Sequence, residues 1–260
     1  MNKILTVLIL VGCSALSCKK EHTEPIESGL NQLAEASIPD GRKVILLADK
    51  EQLRVGYQAI YLRIEDASGK TDKQADVKVT PMMDMHTMQH SSPVEQPVYV
   101  ASQDVYAGAV VFTMSSGEMG TWKLAVEVDG HPVDLDVTVA EAAAGNRPVS
   151  TFVGTDGTSY TIALVQPQVP KTGMNDLEVL ISSRTDMHHF PPVNGLEVTF
   201  EPEMPSMGHG SPNNIDPTGN GNGRYRGKAN FTMTGDWRLH FTLKRNGETI
   251  AEDVYLDIVF

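Results

Sequence analysis

The sequence of 260 residues has only two cysteines, Cys13 and Cys18, and both lie near its start. The residues after Cys18 therefore contain no thiol that could form a disulfide or act as a nucleophile. They also contain no G-x-S-x-G or H-E-x-x-H motif and no glycine-rich phosphate loop. We therefore predict that the protein is not an enzyme.

Positive charge is scarce as well. The chain has 21 lysines and arginines against 33 aspartates and glutamates, which gives a formal net charge of -12. A protein that binds nucleic acid needs a basic surface to neutralise phosphates. We therefore expect no nucleic-acid partner.

The first residues have the features of an export signal. Residues 4–11 form an apolar run after Lys3, and this run is too short to cross a bilayer. Ser14-Ala15-Leu16-Ser17-Cys18 resembles a bacterial lipobox, in which the cysteine is lipidated and becomes the new N-terminus. A rival lipobox ends at Cys13, and an ordinary cleaved signal with two incidental cysteines is a further alternative.

We favour lipidation at Cys18. This choice predicts a lipoprotein signal peptide over residues 1–17 and a flexible polar tether over residues 18–40, in which a short helix over residues 29–36 is an alternative. It also predicts a location in the cell envelope, either periplasmic or at the outer membrane, with the lipid bilayer as a partner.

The remaining sequence has the alternation of β-strands. Apolar residues occupy every second position from Tyr57 to Ile64, and turn-forming residues follow directly. Asp129-Gly130 is a hairpin signal between two further alternating runs. Long amphipathic helical patterns are absent from the sequence, so we predict an all-β fold.

The second half of the chain repeats the first. Residues 85–93 align with residues 204–212, and both segments fit the pattern M-x-x-M-x-H-x-S-P. Matched residues follow in each copy, namely Tyr106, Phe112-Thr113-Met114 and Trp122 in the first and Tyr225, Phe231-Thr232-Met233 and Trp237 in the second. This register indicates a duplication. We predict two tandem immunoglobulin-like β-sandwich domains, over residues 41–141 and 151–260, joined by a linker over residues 142–150, with each tryptophan between its two sheets.

Methionine and histidine are concentrated in the repeated segments and in one loop before the second of them. Thioether sulfur is a soft ligand that suits Cu(I), and imidazole suits both copper states and Zn(II). The sequence therefore predicts bound copper ions with candidate ligands Met85, Met88, His90 and Met114 in the first copy and Met204, Met207, His209, Met233, His188 and His189 in the second. Methionine is also a common core residue, so packing is the alternative role, above all for Met114 and Met233, which neighbour strand residues.

The second copy carries a family resemblance. Met204-Pro205-Ser206-Met207-Gly208-His209, followed by Phe231-Thr232-Met233 and Trp237, resembles the YtkA-like family, which is related to FixH-type accessory proteins. The resemblance implies a small exported or membrane-tethered β-sandwich that is associated with copper handling and cytochrome oxidase assembly. The first copy departs from the motif, because Thr87 replaces a small residue.

Two functions from different classes follow. The first is an exported, membrane-anchored lipoprotein that binds copper through its Met/His loops and serves an envelope partner in copper transport or oxidase assembly. The alternative is a non-catalytic structural or protein-interaction lipoprotein of the envelope that binds no metal.

Overall fold

A computed structural model describes residues 29–260, and strands are the only regular secondary structure in that range. The predicted signal peptide, Cys13 and Cys18 lie outside the described residues. Within residues 29–260 there is no helix that could cross a membrane.

The first domain is built from eleven strands, most of which alternate buried and exposed residues. They are β1 (Asn31–Ser37), β2 (Lys43–Ala48), β3 (Leu53–Arg54), β4 (Gly56–Glu65), β5 (Val77–Asp84), β6 (Gln89–His90), β7 (Val94–Val100), β8 (Val105–Phe112), β9 (Thr121–Val128), β10 (His131–Val137) and β11 (Val139–Ala140).

The second domain is built from nine strands. They are β12 (Val149–Val153), β13 (Ser159–Gln166), β14 (Gly173–Arg184), β15 (Glu197–Met204), β16 (His209–Gly210), β17 (Ile215–Gly219), β18 (Arg224–Phe231), β19 (Asp236–Arg245) and β20 (Glu248–Val259).

The two domains have the same topology. In each, a five-stranded antiparallel sheet packs on a four-stranded one, with orders β1-β2-β4-β8-β7 and β10-β9-β5-β6 in the first domain and β12-β13-β14-β18-β17 and β20-β19-β15-β16 in the second. The short strands β3 and β11 add a parallel pair to the first domain. The predicted fold of two tandem immunoglobulin-like sandwiches is confirmed.

The domain boundaries differ from the predicted ones at two places. Strand β1 lies inside the predicted tether, where it pairs with β2 and packs Leu33, Ala34 and Ala36 against the core. The helix alternative for this segment is wrong, because its backbone hydrogen bonds go to a neighbouring strand. Strand β12 begins inside the predicted linker, at Val149.

Each core is centred on the predicted tryptophan. Trp122 and Trp237 are both 1% exposed and pack edge-on or tilted against Phe112 and Phe231, respectively. The strand residues around them explain this burial, because period-two alternation directs one face of each sheet inward.

The matched tyrosines have matched partners. The Tyr106 hydroxyl accepts from the backbone of Ala75 and donates to the carbonyl of Asp72. The Tyr225 hydroxyl makes the same two bonds with Leu196 and Val193. A side chain that ties the same connection in both domains is strong evidence that they share one architecture.

The two domains contact each other directly. Val111 of the first domain packs in an apolar cluster with residues of the second, namely Val149, Ala163, Val165 and Leu180. Beside this cluster, Arg224 of the second domain donates to Tyr57 Oη at 2.6 Å and to Glu95 Oε1 at 2.7 Å in the first domain. It also donates to Glu178 Oε1 of its own domain at 2.8 Å.

Burial at this interface keeps the Tyr57 hydroxyl protonated. Burial of the ring and the nearby negative charge of Glu95 raise the pKa of Tyr57. The neutral hydroxyl donates to Glu95 Oε2 at 2.8 Å while it accepts from Arg224. The charged groups of the interface are therefore paired on both sides of the domain boundary.

Candidate metal centre

The two Met/His loops connect equivalent strands but align differently from the sequence pattern. Met83 pairs with His90 across β5 and β6, and Met204 pairs with His209 across β15 and β16. Six residues separate the first pair and four separate the second, so the first loop is two residues longer. The alignment of Met85 with Met204 is therefore wrong, because a letter pattern does not include the hairpin register that backbone bonds impose.

Met204 is a core residue in this register. Its side chain is 4% exposed, and the side chain of its counterpart Met83 is fully buried. Met204 lies against Gly235, and Met83 lies against Gly120. Both glycines have a positive φ, and a Cβ added at either would crowd the methyl group of the methionine. The structure thus places the Met204 thioether inside the sandwich, apart from the exposed end of the loop.

Both loop histidines are held in the same way. His90 Nδ1 lies 2.8 Å from the carbonyl of Ser91, and His209 Nδ1 lies 3.0 Å from the carbonyl of Gly210. A carbonyl only accepts, so in a neutral ring the proton is on Nδ1 and Nε2 keeps its lone pair. This is the orientation that backbone carbonyls commonly give to metal-binding histidines.

The core tryptophans connect the histidines to the strand-end methionines. The indole Nε1 of Trp122 donates to the carbonyl of Met114 at 2.9 Å, and that of Trp237 donates to Met233 at 3.0 Å. His90 packs edge-on against Trp122 with ring centroids 5.7 Å apart. The tryptophan of the first domain therefore positions both Met114 and His90.

Asp84 shapes the base of the first loop. Its carboxylate accepts from the backbone N–H of His86 and from the Gln89 side chain, and these bonds lower the pKa of Asp84. His86 has a φ of 65°, a left-handed conformation that lets the chain reverse within this loop. Its side chain is exposed.

The first loop borders a cavity of about 480 Å³ between the two domains. Its lining includes all four predicted ligands of the first copy, namely Met85, Met88, His90 and Met114. Met88 is half-exposed, which gives the cavity access to solvent. The structure thus brings this candidate set to one place.

Two of the predicted ligands of the second copy lie at the surface. Met207 is 61% exposed and Met233 is 40% exposed. His209 borders a different and more polar cavity, together with Glu203 and His240. Across residues 29–260, no group of three or more histidine, cysteine or acidic side chains is arranged to hold a metal ion.

The predicted ligands His188 and His189 lie on the surface. Asp186 accepts from the backbone N–H groups of both residues, and these bonds, with one from the His189 ring, lower the pKa of Asp186. Neither histidine lines the cavity of the first loop, whereas the preceding residue Met187 does. Sequence patterns assign Met187 no role in the first copy, because only the packing of the two domains brings it to this cavity.

Comparison with protein families supports the resemblance seen in the second copy. Residues 155–242 match the model of the YtkA-like family. The matched range runs from just after β12 into β19, so it includes the second Met/His loop, Met233 and Trp237. The resemblance of the second domain to the YtkA-like family is thus confirmed. No curated protein matches the chain.

Several solved structures resemble the chain weakly. The Escherichia coli adhesin FdeC is 14% identical over 86% of this chain and 66% of its own, with a TM-score of 0.27. Domains 5–6 of the S-layer protein SbsC are 14% identical over 88% of this chain and 99% of their own, with a TM-score of 0.27. Invasin, a bacterial integrin-binding protein, is 14% identical over 84% of this chain and 39% of its own, with a TM-score of 0.27. The chain thus spans less than two thirds of FdeC and of invasin.

Proposed function

We propose that this protein is a lipid-anchored protein of the bacterial envelope that binds Cu(I) at the Met/His loop of its first domain. The observation that supports this proposal is that three methionines and one histidine line a single cavity. The YtkA-like match lies in the second domain, and the family resemblance implies copper handling for the fold that both domains share.

The chemistry of the cavity suits a soft monovalent ion. Met85, Met88 and Met114 offer uncharged sulfur donors, and the bond from His90 Nδ1 leaves Nε2 free to bind. No aspartate or glutamate is among the described residues that line the cavity, and Arg184 is the one lysine or arginine among them. Hard cations such as Ca²⁺ and Mg²⁺ need oxygen ligands, and Zn(II) sites are built from thiolate, imidazole and carboxylate. The residues therefore fit Cu(I) better than these ions.

The second domain has a different role in this proposal. Met207 and Met233 are exposed, and neither lines the polar cavity that His209 borders. We propose that the first domain holds the ion, and that an envelope protein of copper transport or oxidase assembly exchanges it.

Copper titration tests this function. The purified protein should bind one Cu(I) per chain in competition with a chromophoric Cu(I) chelator under reducing, anaerobic conditions. The double variant Met88→Leu/His90→Ala should lose at least about tenfold in Cu(I) affinity. Changing a residue that only orients a metal ligand already costs about tenfold or more, and this variant removes two ligands themselves. The matched variant Met207→Leu/His209→Ala should bind as the unchanged protein does.

Two results would contradict the copper proposal. Full affinity in Met88→Leu/His90→Ala would show that the site has been misplaced. Failure of the unchanged protein to compete for Cu(I) would remove the function itself and favour the alternative, in which the apolar cavity contacts a protein partner.

The lipid anchor has a separate test. Changing Cys18 to serine should abolish incorporation of a labelled fatty acid and release the protein from the membrane fraction, because a hydroxyl cannot form the thioether to the lipid. Cys13→Ser should leave labelling unchanged. The opposite pattern, with labelling lost only in Cys13→Ser, would move the anchor to the rival lipobox.

A further inference from the structure

The cavity of the first loop is shared between the domains. Besides Met85, Met88, His90 and Met114, its wall includes Met187, which lies in the loop after β14 of the second domain. Met187 is partly buried, whereas its neighbours His188 and His189 are exposed. One thioether from the second domain thus lies at the same cavity as three thioethers and an imidazole from the first.

The backbone of Ser91 connects Met187 to His90. The Ser91 N–H donates to the Met187 carbonyl at 2.7 Å, and this bond crosses the domain boundary. The Ser91 carbonyl accepts from His90 Nδ1 at 2.8 Å. The residue that orients the imidazole therefore also holds the main chain of Met187, so Met187 is anchored next to His90.

Other contacts keep the Met187 loop in place. Within the loop, Asp186 accepts two backbone N–H groups, which stabilises the turn that carries Met187. Between the domains, the apolar cluster around Val111 and the hydrogen bonds of Arg224 with Glu95 fix the relative position of the two sandwiches. A ligand supplied across such an interface loses little freedom on binding because its backbone is already held.

We propose that Met187 is a ligand of the same ion in place of one of the first-domain thioethers, so that Cu(I) bound by the first domain also joins it to the second. This inference rests on the proposed copper function and extends it from one loop to both domains. A thioether from the second domain adds a soft donor without adding charge, which agrees with the carboxylate-free wall. Metal binding then stabilises the contact between the domains, since a bound ion favours the arrangement in which all its ligands meet.

The test replaces Met187 by leucine, which keeps the volume and apolar character of the side chain but removes the sulfur. The Cu(I) affinity of the purified protein should fall by about tenfold or more. X-ray absorption at the copper edge should show one sulfur neighbour fewer than in the unchanged protein. The matched control is Met207→Leu, an exposed methionine outside the cavity, which should change neither measurement.

The outcomes separate this inference from the copper function. If Met88→Leu/His90→Ala loses affinity while Met187→Leu binds with full affinity and an unchanged sulfur count, the site belongs to the first domain alone and the shared ligand is wrong. If the unchanged protein binds no Cu(I), the proposed function fails first. Circular dichroism and a thermal melt of Met187→Leu, unchanged in the absence of copper, would show that any loss of affinity comes from the missing sulfur.

Discussion

Replacing Arg224 by methionine should lower the free energy of unfolding by about 3 kcal/mol, because it leaves Glu95 without a cation at the domain interface and leaves Glu178 with Arg226 alone. Arg224 donates to Glu95 of the first domain and to Glu178 of its own, and the Glu178 side chain is only 9% exposed. The change also removes the hydrogen bond that Tyr57 Oη accepts from Arg224. Urea unfolding followed by circular dichroism measures the loss as a lower midpoint.

Arg226 is a matched control for Arg224. It also pairs with Glu178, at 3.0 Å, but its side chain is 57% exposed and it makes no hydrogen bond to the first domain. Arg226→Met should therefore cost less than about 1 kcal/mol, as exposed ion pairs do. Equal losses in the two variants would show that the interface contacts of Arg224 contribute nothing beyond an ordinary surface pair.

The architecture could be predicted from the sequence because strand alternation is a local pattern and the domain pattern occurs twice in the chain. Alternation along β4 predicted a strand, and the matched positions of Tyr106 and Tyr225 in the two copies indicated the duplication. Each tyrosine and each tryptophan then proved to occupy the same place in its own sandwich. Period-two patterning and the same order of turns in both copies indicate such a fold.

Other features could not be predicted because long-range pairing determines them. Strand β1 contains no β-branched or aromatic residue, and only its pairing with β2 makes it a strand. The two extra residues of the first loop are visible only once the pairs of Met83 with His90 and of Met204 with His209 are known.

The candidate site was predicted in part for the same reason. Thioether and imidazole chemistry identified Met85, Met88, His90 and Met114, and the structure places them around one cavity. The same chemistry could not distinguish Met204, which is in the core, from the exposed Met207. Nor could it assign Met187 to a cavity of the other domain, because no local pattern encodes the packing of two sandwiches.

Truncating Trp122 to alanine should have a large effect on both stability and copper binding. The indole is 1% exposed, so its loss should cost about 3–5 kcal/mol through lost burial and the cavity left behind. It also removes the donor to the Met114 carbonyl and the edge-on support of His90. Trp237→Ala should destabilise the second domain by a similar amount without weakening Cu(I) binding, because Trp237 contacts His209 and Met233 instead.

Trp122→Phe separates the two effects where Trp122→Ala unfolds too far to be titrated. Phenylalanine keeps an aromatic ring beside Phe112 but has no N–H, so the Met114 carbonyl loses its donor. The expected stability loss is about 1–3 kcal/mol, the range for a buried group left unpaired. Cu(I) affinity should fall by several-fold in this folded variant. Complete loss of a residue that orients a metal ligand typically lowers the metal affinity by about 10–100-fold. Unchanged affinity in a folded Trp122→Phe protein would mean that the position of Met114 does not depend on the indole, and the tryptophan would then serve the core alone.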